Sequence, residues 1–180
     1  DAFAVADHQI AHVYCKNDKD IDKVATLIKA VEGVEKVLYG EDLKDYHIDH
    51  DRCGDIVVVA DKDSWFTYYF WLDDAKAPDY ARMVDIHKKP GYDPVEMMTD
   101  PKDKLVMAKV VGKLIQKKMG FRTVMDIIPI NATLIKGSHG RITEDVEDYP
   151  IFISNHSFGK KNQTISAIQV RDLIEDHLLN

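Results

Sequence analysis

The sequence predicts an α/β domain with α+β character, and three observations carry that expectation. Strand-like apolar patterns run through 2–15, 34–39 and 55–61, with one helical stripe between the first and the second. The clearest helical stripe, Leu105 to Met119, lies well downstream of them. A glycine-framed turn, Gly137-Ser138-His139-Gly140-Arg141, then stands between the apolar runs Ala132-Thr133-Leu134-Ile135 and Pro150-Ile151-Phe152-Ile153-Ser154. These features divide the chain into a β-α-β-β unit over 1–62, an aromatic and helical insertion over 63–128, and a turn, closing strand and closing helix over 129–180.

Residues 2–15, AFAVADHQIAHVYC, alternate as one strand and place Ala4, Ala6, His8, Ile10, His12 and Tyr14 on one face. Asp20 suits a helix N-cap, Ile21, Val24, Leu27, Ile28 and Val31 form the apolar stripe, and Gly33 suits the stop. Val34 to Tyr39 reads as a short strand and Asp55 to Asp61 as a buried one. Trp65 to Leu72 is a dense aromatic run, and the prolines at 78, 90 and 94 after it forbid long regular structure. An ordered loop excursion follows from that conflict, because the aromatic rings need burial. In the helix that starts at Leu105, the residues Leu105, Ala108, Val111, Leu114, Ile115 and Met119 share a face, and Gly120 ends it. Ile165 to Leu179 closes the chain as a second amphipathic helix on Ile168, Ile174 and Leu178.

The 180 residues suit one domain or one large piece of a bigger one, with 45% hydrophobic and 31% charged residues. No apolar run reaches the length of a membrane span, and no signal-peptide pattern opens the chain. The chain begins at Asp1, inside an apparent strand, so an excised segment with its natural N-terminus elsewhere is expected. A net charge of -7 argues against binding driven by phosphate neutralisation, so no nucleic-acid partner is expected, and no membrane. Cys15 and Cys53 are too few for a disulfide framework and favour a reducing, cytoplasmic compartment. The three Asn-x-Ser/Thr matches, at Asn131, Asn155 and Asn162, are read as coincidental without a secretory signal.

Glycines on both sides of His139 allow a sharp turn that presents the imidazole at a sheet edge. Such a histidine is either a turn residue or a metal ligand, and spacing alone leaves both open. His8 and His12 share a strand face two pleat repeats apart, too far for one ion, and read as packing or surface histidines. His47, Asp49, His50 and Asp51 sit in a loop where such residues cap turns, with metal binding the lesser alternative. Asp85 and His87, with Lys88 beside them, either recognise a phosphate or order the Pro90-Gly91 turn. Tyr68, Tyr69 and Trp71 either stack on a ligand or belong to the core. There is no Gly-x-Ser-x-Gly elbow, phosphate loop or dinucleotide glycine fingerprint.

Arg52-Cys53-Gly54-Asp55-Ile56-Val57-Val58-Val59-Ala60-Asp61, then Trp65, then Gly137-Ser138-His139-Gly140, then Pro150-Ile151-Phe152-Ile153, resembles the C-terminal part of a type I phosphodiesterase/nucleotide pyrophosphatase. That family belongs to the alkaline phosphatase superfamily, and the resemblance, strengthened by the blocks at 2–15 and 65–96, covers most of the chain. It implies the C-terminal part of an alkaline phosphatase-like fold and a metal-dependent phosphoric-ester hydrolase. Two divalent metals, usually zinc, and a Thr or Ser nucleophile are implied for the whole enzyme. His139 matches the last histidine ligand. The nucleophile, the early aspartate ligands and an Asp-His-Gly ligand pair are expected upstream of Asp1. The segment is therefore expected to be inactive and metal-free when isolated, and to work with the N-terminal remainder of its own catalytic domain on a small phosphate ester. The insertion after Trp65 would shape the substrate site, which makes Tyr68, Tyr69, Asp85, His87 and Lys88 the substrate-contact candidates. Arg141 departs from the family pattern, in which Tyr and an acidic residue follow the second glycine. The alternatives are a ligand- or partner-binding module derived from the family and a phosphomutase- or transferase-like member of the same superfamily.

Overall fold

Alternation over 2–15 does produce extended chain, but in two pieces. In the computed structural model, which describes residues 1–84, 94–155 and 164–179, β1 (Ala2–Asp7) and β2 (Ile10–Cys15) form an antiparallel hairpin. The predicted single strand folds back at His8-Gln9, with Asp7 opposite Ile10. No glycine, proline or asparagine marks this turn, and His8 adopts φ 57°, a left-handed conformation that most side chains avoid. The periodicity was legible because a two-residue turn interrupts alternation without leaving a loop.

The chain then enters α1 (Ile21–Lys29), β3 (Val34–Tyr39), the short α2 (Glu41–Asp45) and β4 (Ile56–Ala60). All strand pairs are antiparallel, in the order β1-β2-β4-β3. The α+β character is therefore present, with the expected β-α-β-β opening replaced by β-β-α-β-α-β. Every residue of β4 is buried, because it is a central strand covered on both faces. Ala11, Val13, Val37, Ile56 and Val58 form one face and take Ile21, Val24, Ala25 and Ile28 of α1. Leu38, Val57 and Val59 form the other and take Ile10, Leu43, Ile48 and Cys53. Leu27 and Val31 of the predicted stripe stay exposed, so the buried face of α1 is narrower than the pattern. Asp20 stands at the N-cap position without a side-chain capping bond.

β3 carries one irregularity that bears on the site. Its register against β4 shifts between Val34 and Lys36, which makes Glu35 the extra residue of a bulge. Bulges re-aim side chains, and Glu35 forms an ion pair with Arg141. A third cluster, Val95, Ile128 and Ile135 with Trp65, lies outside the sheet. The Trp65 indole N–H donates to the Ala132 carbonyl at 3.0 Å, which satisfies the polar handle of a half-buried ring.

The helix predicted from Leu105 is α3 (Val106–Lys118), and the closing helix is α4 (Gln169–Leu179). The strands expected on either side of the His139 turn do not form. Ala132–Leu134 is a 3-10 turn, and residues 150–154 carry no regular secondary structure. An apolar run becomes a strand only where a neighbour takes its backbone groups, and no strand among the described residues pairs with either run. The chain divides into two compact units, Asp1–Ile142 and Thr143–Asn180. The second holds a 3-10 turn at Val146–Asp148 and α4, which carries an Arg171–Glu175 pair one turn apart. No described helix is long and apolar enough to cross a membrane.

Ile56 is fully buried on the central strand β4, beneath α1. Replacing it with alanine removes three methyl or methylene groups from a closed site, and urea unfolding of Ile56→Ala should show a loss of ~2–5 kcal/mol. A loss below about 1 kcal/mol would place the core elsewhere.

Candidate metal centre

The hairpin turn and the glycine turn meet at the end of the sheet, where two links fasten them and a third ties the glycine turn to β3. The Gln9 backbone N–H donates to the His139 carbonyl at 2.9 Å. The His8 Nδ1 and the Ser138 hydroxyl are 2.7 Å apart. The Arg141 guanidinium pairs with the bulged Glu35, the two side chains being 16% and 24% exposed. Gly137 adopts φ 119° with the Lys62 carbonyl where a Cβ would lie, at 2.7 Å. Gly140 adopts φ 106° and packs on Ile10. The glycines thus do what the sequence suggests: they let the chain turn where it presses against another backbone.

Gln9 fixes the floor of this meeting point. It is 4% exposed, and its amide donates to the carbonyls of Asp61 and Ser64, each at 3.0 Å, just beyond β4. Its own carbonyl accepts from the Ala60 N–H at 2.9 Å. The side-chain donors of a buried amide are therefore paired, as a buried polar group requires. The Phe66 N–H donates to the His8 carbonyl at 2.6 Å and brings the aromatic run over the turn.

Rings gather around His8 as a result. Its centroid lies 4.0 Å from that of His139, 5.7 Å from Tyr68 in an edge-on contact, and 6.4 Å from Trp65. His8 itself is buried, at 8% exposure, while Asp7 and His139 are exposed. One ligand atom from each of Asp7, His8 and His139 lies within 4.8 Å of the others. One carboxylate oxygen and two imidazole nitrogens form a donor set that suits zinc and leaves a position for another ligand. The chemistry such a group can support is charge stabilisation by a bound divalent cation.

The sequence candidates separate clearly on this frame. His139 lies in the group, and so does His8, which the strand reading had set aside as packing or surface. That correction follows from the hairpin: His8 and His12 do not share a strand at all. Asp7 was not singled out by the sequence. The Asp7-His8 pair was its available signal, hidden because Gln9 rather than glycine follows it. His12 is structural, its Nδ1 accepting from the Gly54 N–H at 3.1 Å near the Cys53 thiol. His50 behaves as the turn-capping reading expects, its Nδ1 accepting from the Arg52 N–H at 3.1 Å, and His47, Asp49 and Asp51 are exposed. Tyr68 touches His8, whereas Tyr69 stacks on Trp71 at 4.7 Å. Asp85, His87 and Lys88 lie outside the described residues.

Neither thiol is arranged as a nucleophile. Burial, then the Asp55 carboxylate, pushes the Cys15 thiol up, and burial does the same to Cys53, so both stay protonated at neutral pH. A cavity of about 140 Å³ opens on the second sheet face, lined by Ile10, Leu38, Val57, Val59 and Ile142 with Glu35 and Lys36 at its polar part. Asp7, His8 and His139 do not line it.

The family model for type I phosphodiesterase / nucleotide pyrophosphatase matches residues 1–93. No curated protein and no solved structure matches the chain.

Gly137→Ala should cost stability, because the new Cβ meets the Lys62 carbonyl and the backbone conformation is strained for any L side chain. A loss of about 2 kcal/mol or more is expected in denaturant unfolding. Equal stability of the variant and the parent would show that the turn relaxes away from Lys62.

Proposed function

The chain belongs to the type I phosphodiesterase / nucleotide pyrophosphatase family, and from that premise we propose that it supplies a metal-holding part of a metal-dependent phosphoric-ester hydrolase. The observation that carries this reading is the convergence of Asp7, His8 and His139 at one end of the sheet. Two of these are neighbours and the third is more than a hundred residues away, so only the fold unites them. In place of an Asp-His-Gly pair upstream of Asp1, Asp7-His8 is proposed as the counterpart, with Gln9 where the family pattern has glycine. His139 supplies the pattern's last histidine. The expectation of a metal-free segment rests on a lone imidazole; the nearness of three donor side chains supports the different proposal of one divalent ion, zinc, per chain.

The residues present fit that ion. The donors are two nitrogens and one oxygen, the mixture zinc takes in hydrolytic sites, and a bound ion would stabilise charge on the phosphoryl oxygens of the ester. Asp7 contributes the negative charge that offsets the cation. His8 is held by its backbone carbonyl, by the Ser138 contact and by the surrounding rings. Tyr68 and Trp65 keep water from part of its surface, which strengthens electrostatic interactions close to the site. The attacking group and a second metal site are assigned to the N-terminal remainder of the catalytic domain, the partner this reading requires. Tyr68, with Asp85, His87 and Lys88, is proposed to contact the organic part of a small phosphate ester.

Zinc titration followed by calorimetry, with elemental analysis of the loaded protein, tests the reading. The parent should take one equivalent, and His139→Ala should bind at least about tenfold more weakly. If both take up zinc alike, the ligand assignment is wrong, and a binding module without metal becomes the better description.

The two tyrosines give a second test. In the intact catalytic domain, Tyr68→Ala should change the ratio of kcat/KM between aryl and alkyl phosphodiesters several-fold, while Tyr69→Ala should leave that ratio alone. A proportional loss on all esters for Tyr68→Ala would assign Tyr68 to packing.

A further inference from the structure

We infer that Ser138 is a positioning residue for His8: its hydroxyl accepts the Nδ1–H and so commits the lone pair of Nε2 to the ion. This rests on the metal reading above and adds to it which nitrogen is the ligand and what holds the ring. The Nδ1 and Oγ atoms are 2.7 Å apart, within strong hydrogen-bond range. An imidazole with its proton on Nδ1 presents an unprotonated Nε2, whereas the opposite tautomer must shed the Nε2 proton before it can bind a cation.

The placement of Ser138 makes the contact more than a passing surface bond. Gly137, which precedes it, is pressed against the Lys62 carbonyl. The carbonyl of His139, which follows it, accepts from Gln9. Ser138 is thus held between two fixed backbone points, although its side chain lies in an exposed position. The ring it faces is equally constrained, since His8 is buried among Trp65, Tyr68 and His139. A hydroxyl fixed on one side and a ring fixed on the other define the ring angle, and a cation on Nε2 leaves the proton on Nδ1, where the hydroxyl accepts it. Outer hydrogen bonds of this kind are generally worth 10–100-fold in metal affinity.

The same short turn therefore has two duties. His139 donates a ligand directly, and Ser138, one residue earlier, orients a ligand that comes from the hairpin. That division explains why a serine rather than any small residue suits position 138: alanine would fit the space, but it cannot accept the proton.

The test compares the parent, Ser138→Ala and His139→Ala by zinc calorimetry, thermal unfolding without zinc, and nitrogen NMR of the His8 ring in the zinc-loaded protein. Ser138→Ala should bind zinc about 10–100-fold more weakly than the parent. Without zinc it should still unfold cooperatively, its midpoint lowered only by the few degrees that one part-buried hydrogen bond supplies. The loaded parent should show a protonated Nδ1 and a metal-shifted Nε2. Zinc on Nδ1, or unchanged zinc affinity in Ser138→Ala while His139→Ala binds weakly, overturns the role of Ser138 and leaves the metal reading standing. Failure of the parent itself to bind zinc, or equal binding by the parent and His139→Ala, overturns both.

Discussion

Gln9 is the constraint on which the candidate centre depends. Its backbone N–H holds the His139 turn, its carbonyl holds the end of β4, and its buried amide holds the two carbonyls that follow that strand. One residue thereby joins the start of the chain, the central strand and a turn far downstream. A buried amide stripped of such partners costs about 1–3 kcal/mol for each group left unsatisfied, so the arrangement tolerates little displacement. The two candidate histidines inherit that rigidity: His8 precedes Gln9 directly, and the His139 carbonyl accepts its backbone N–H. Precision at the centre comes from a glutamine that contributes no ligand.

Strain at the same point is the counterpart of that precision. A histidine with φ near 57° sits about 1–3 kcal/mol above its relaxed backbone, and no glycine relieves it. The compensation is local and visible. The His8 carbonyl accepts from Phe66, its ring is buried among three others, and Nδ1 meets Ser138. A glycine would turn the chain more cheaply but would lose both the ligand and the contacts that hold the second turn. Backbone strain persists where the surroundings over-determine it, and here those surroundings are the residues that define the centre.

Much of the sheet was legible because burial imprints a period on sequence. β3 falls on the expected Val34–Tyr39, and β4 lies within the expected Asp55–Asp61, since both strands carry continuous or alternating apolar residues. α1 and α3 were legible for the same reason on a helical period. The hairpin was not, because its turn lacks the residues that ordinarily announce one and because alternation continues through it. The runs beside His139 were misread as strands for the opposite reason: they have the composition of strands but no partner. Ile135 is buried against Val95 and Ile128 instead, which satisfies its side chain without a ladder. The centre was half legible. His139 announced itself through its glycines, while Asp7 and His8 were masked by the strand that seemed to contain them. Pairing across distant sequence is a property of topology, and no local pattern encodes it.

That distance has a thermodynamic consequence. His8 and Ser138 are 130 positions apart, so the donor set exists only when the hairpin and the glycine turn are both in place. An unfolded chain offers an ion the Asp7-His8 pair and, separately, His139, but never the three together. On the proposed reading, binding would be linked to folding: an ion present at 100 times its dissociation constant would add about 2.7 kcal/mol to the stability of the closed arrangement. The same linkage acts in reverse, because any change that loosens Gln9 or Gly137 spends part of the binding free energy on re-forming the contact between the two turns. The hydrogen bonds among Gln9, Ser138 and His8, and the Arg141–Glu35 pair, therefore do more than stabilise a fold. For the ion proposed above, they would determine how much of its intrinsic affinity the protein retains.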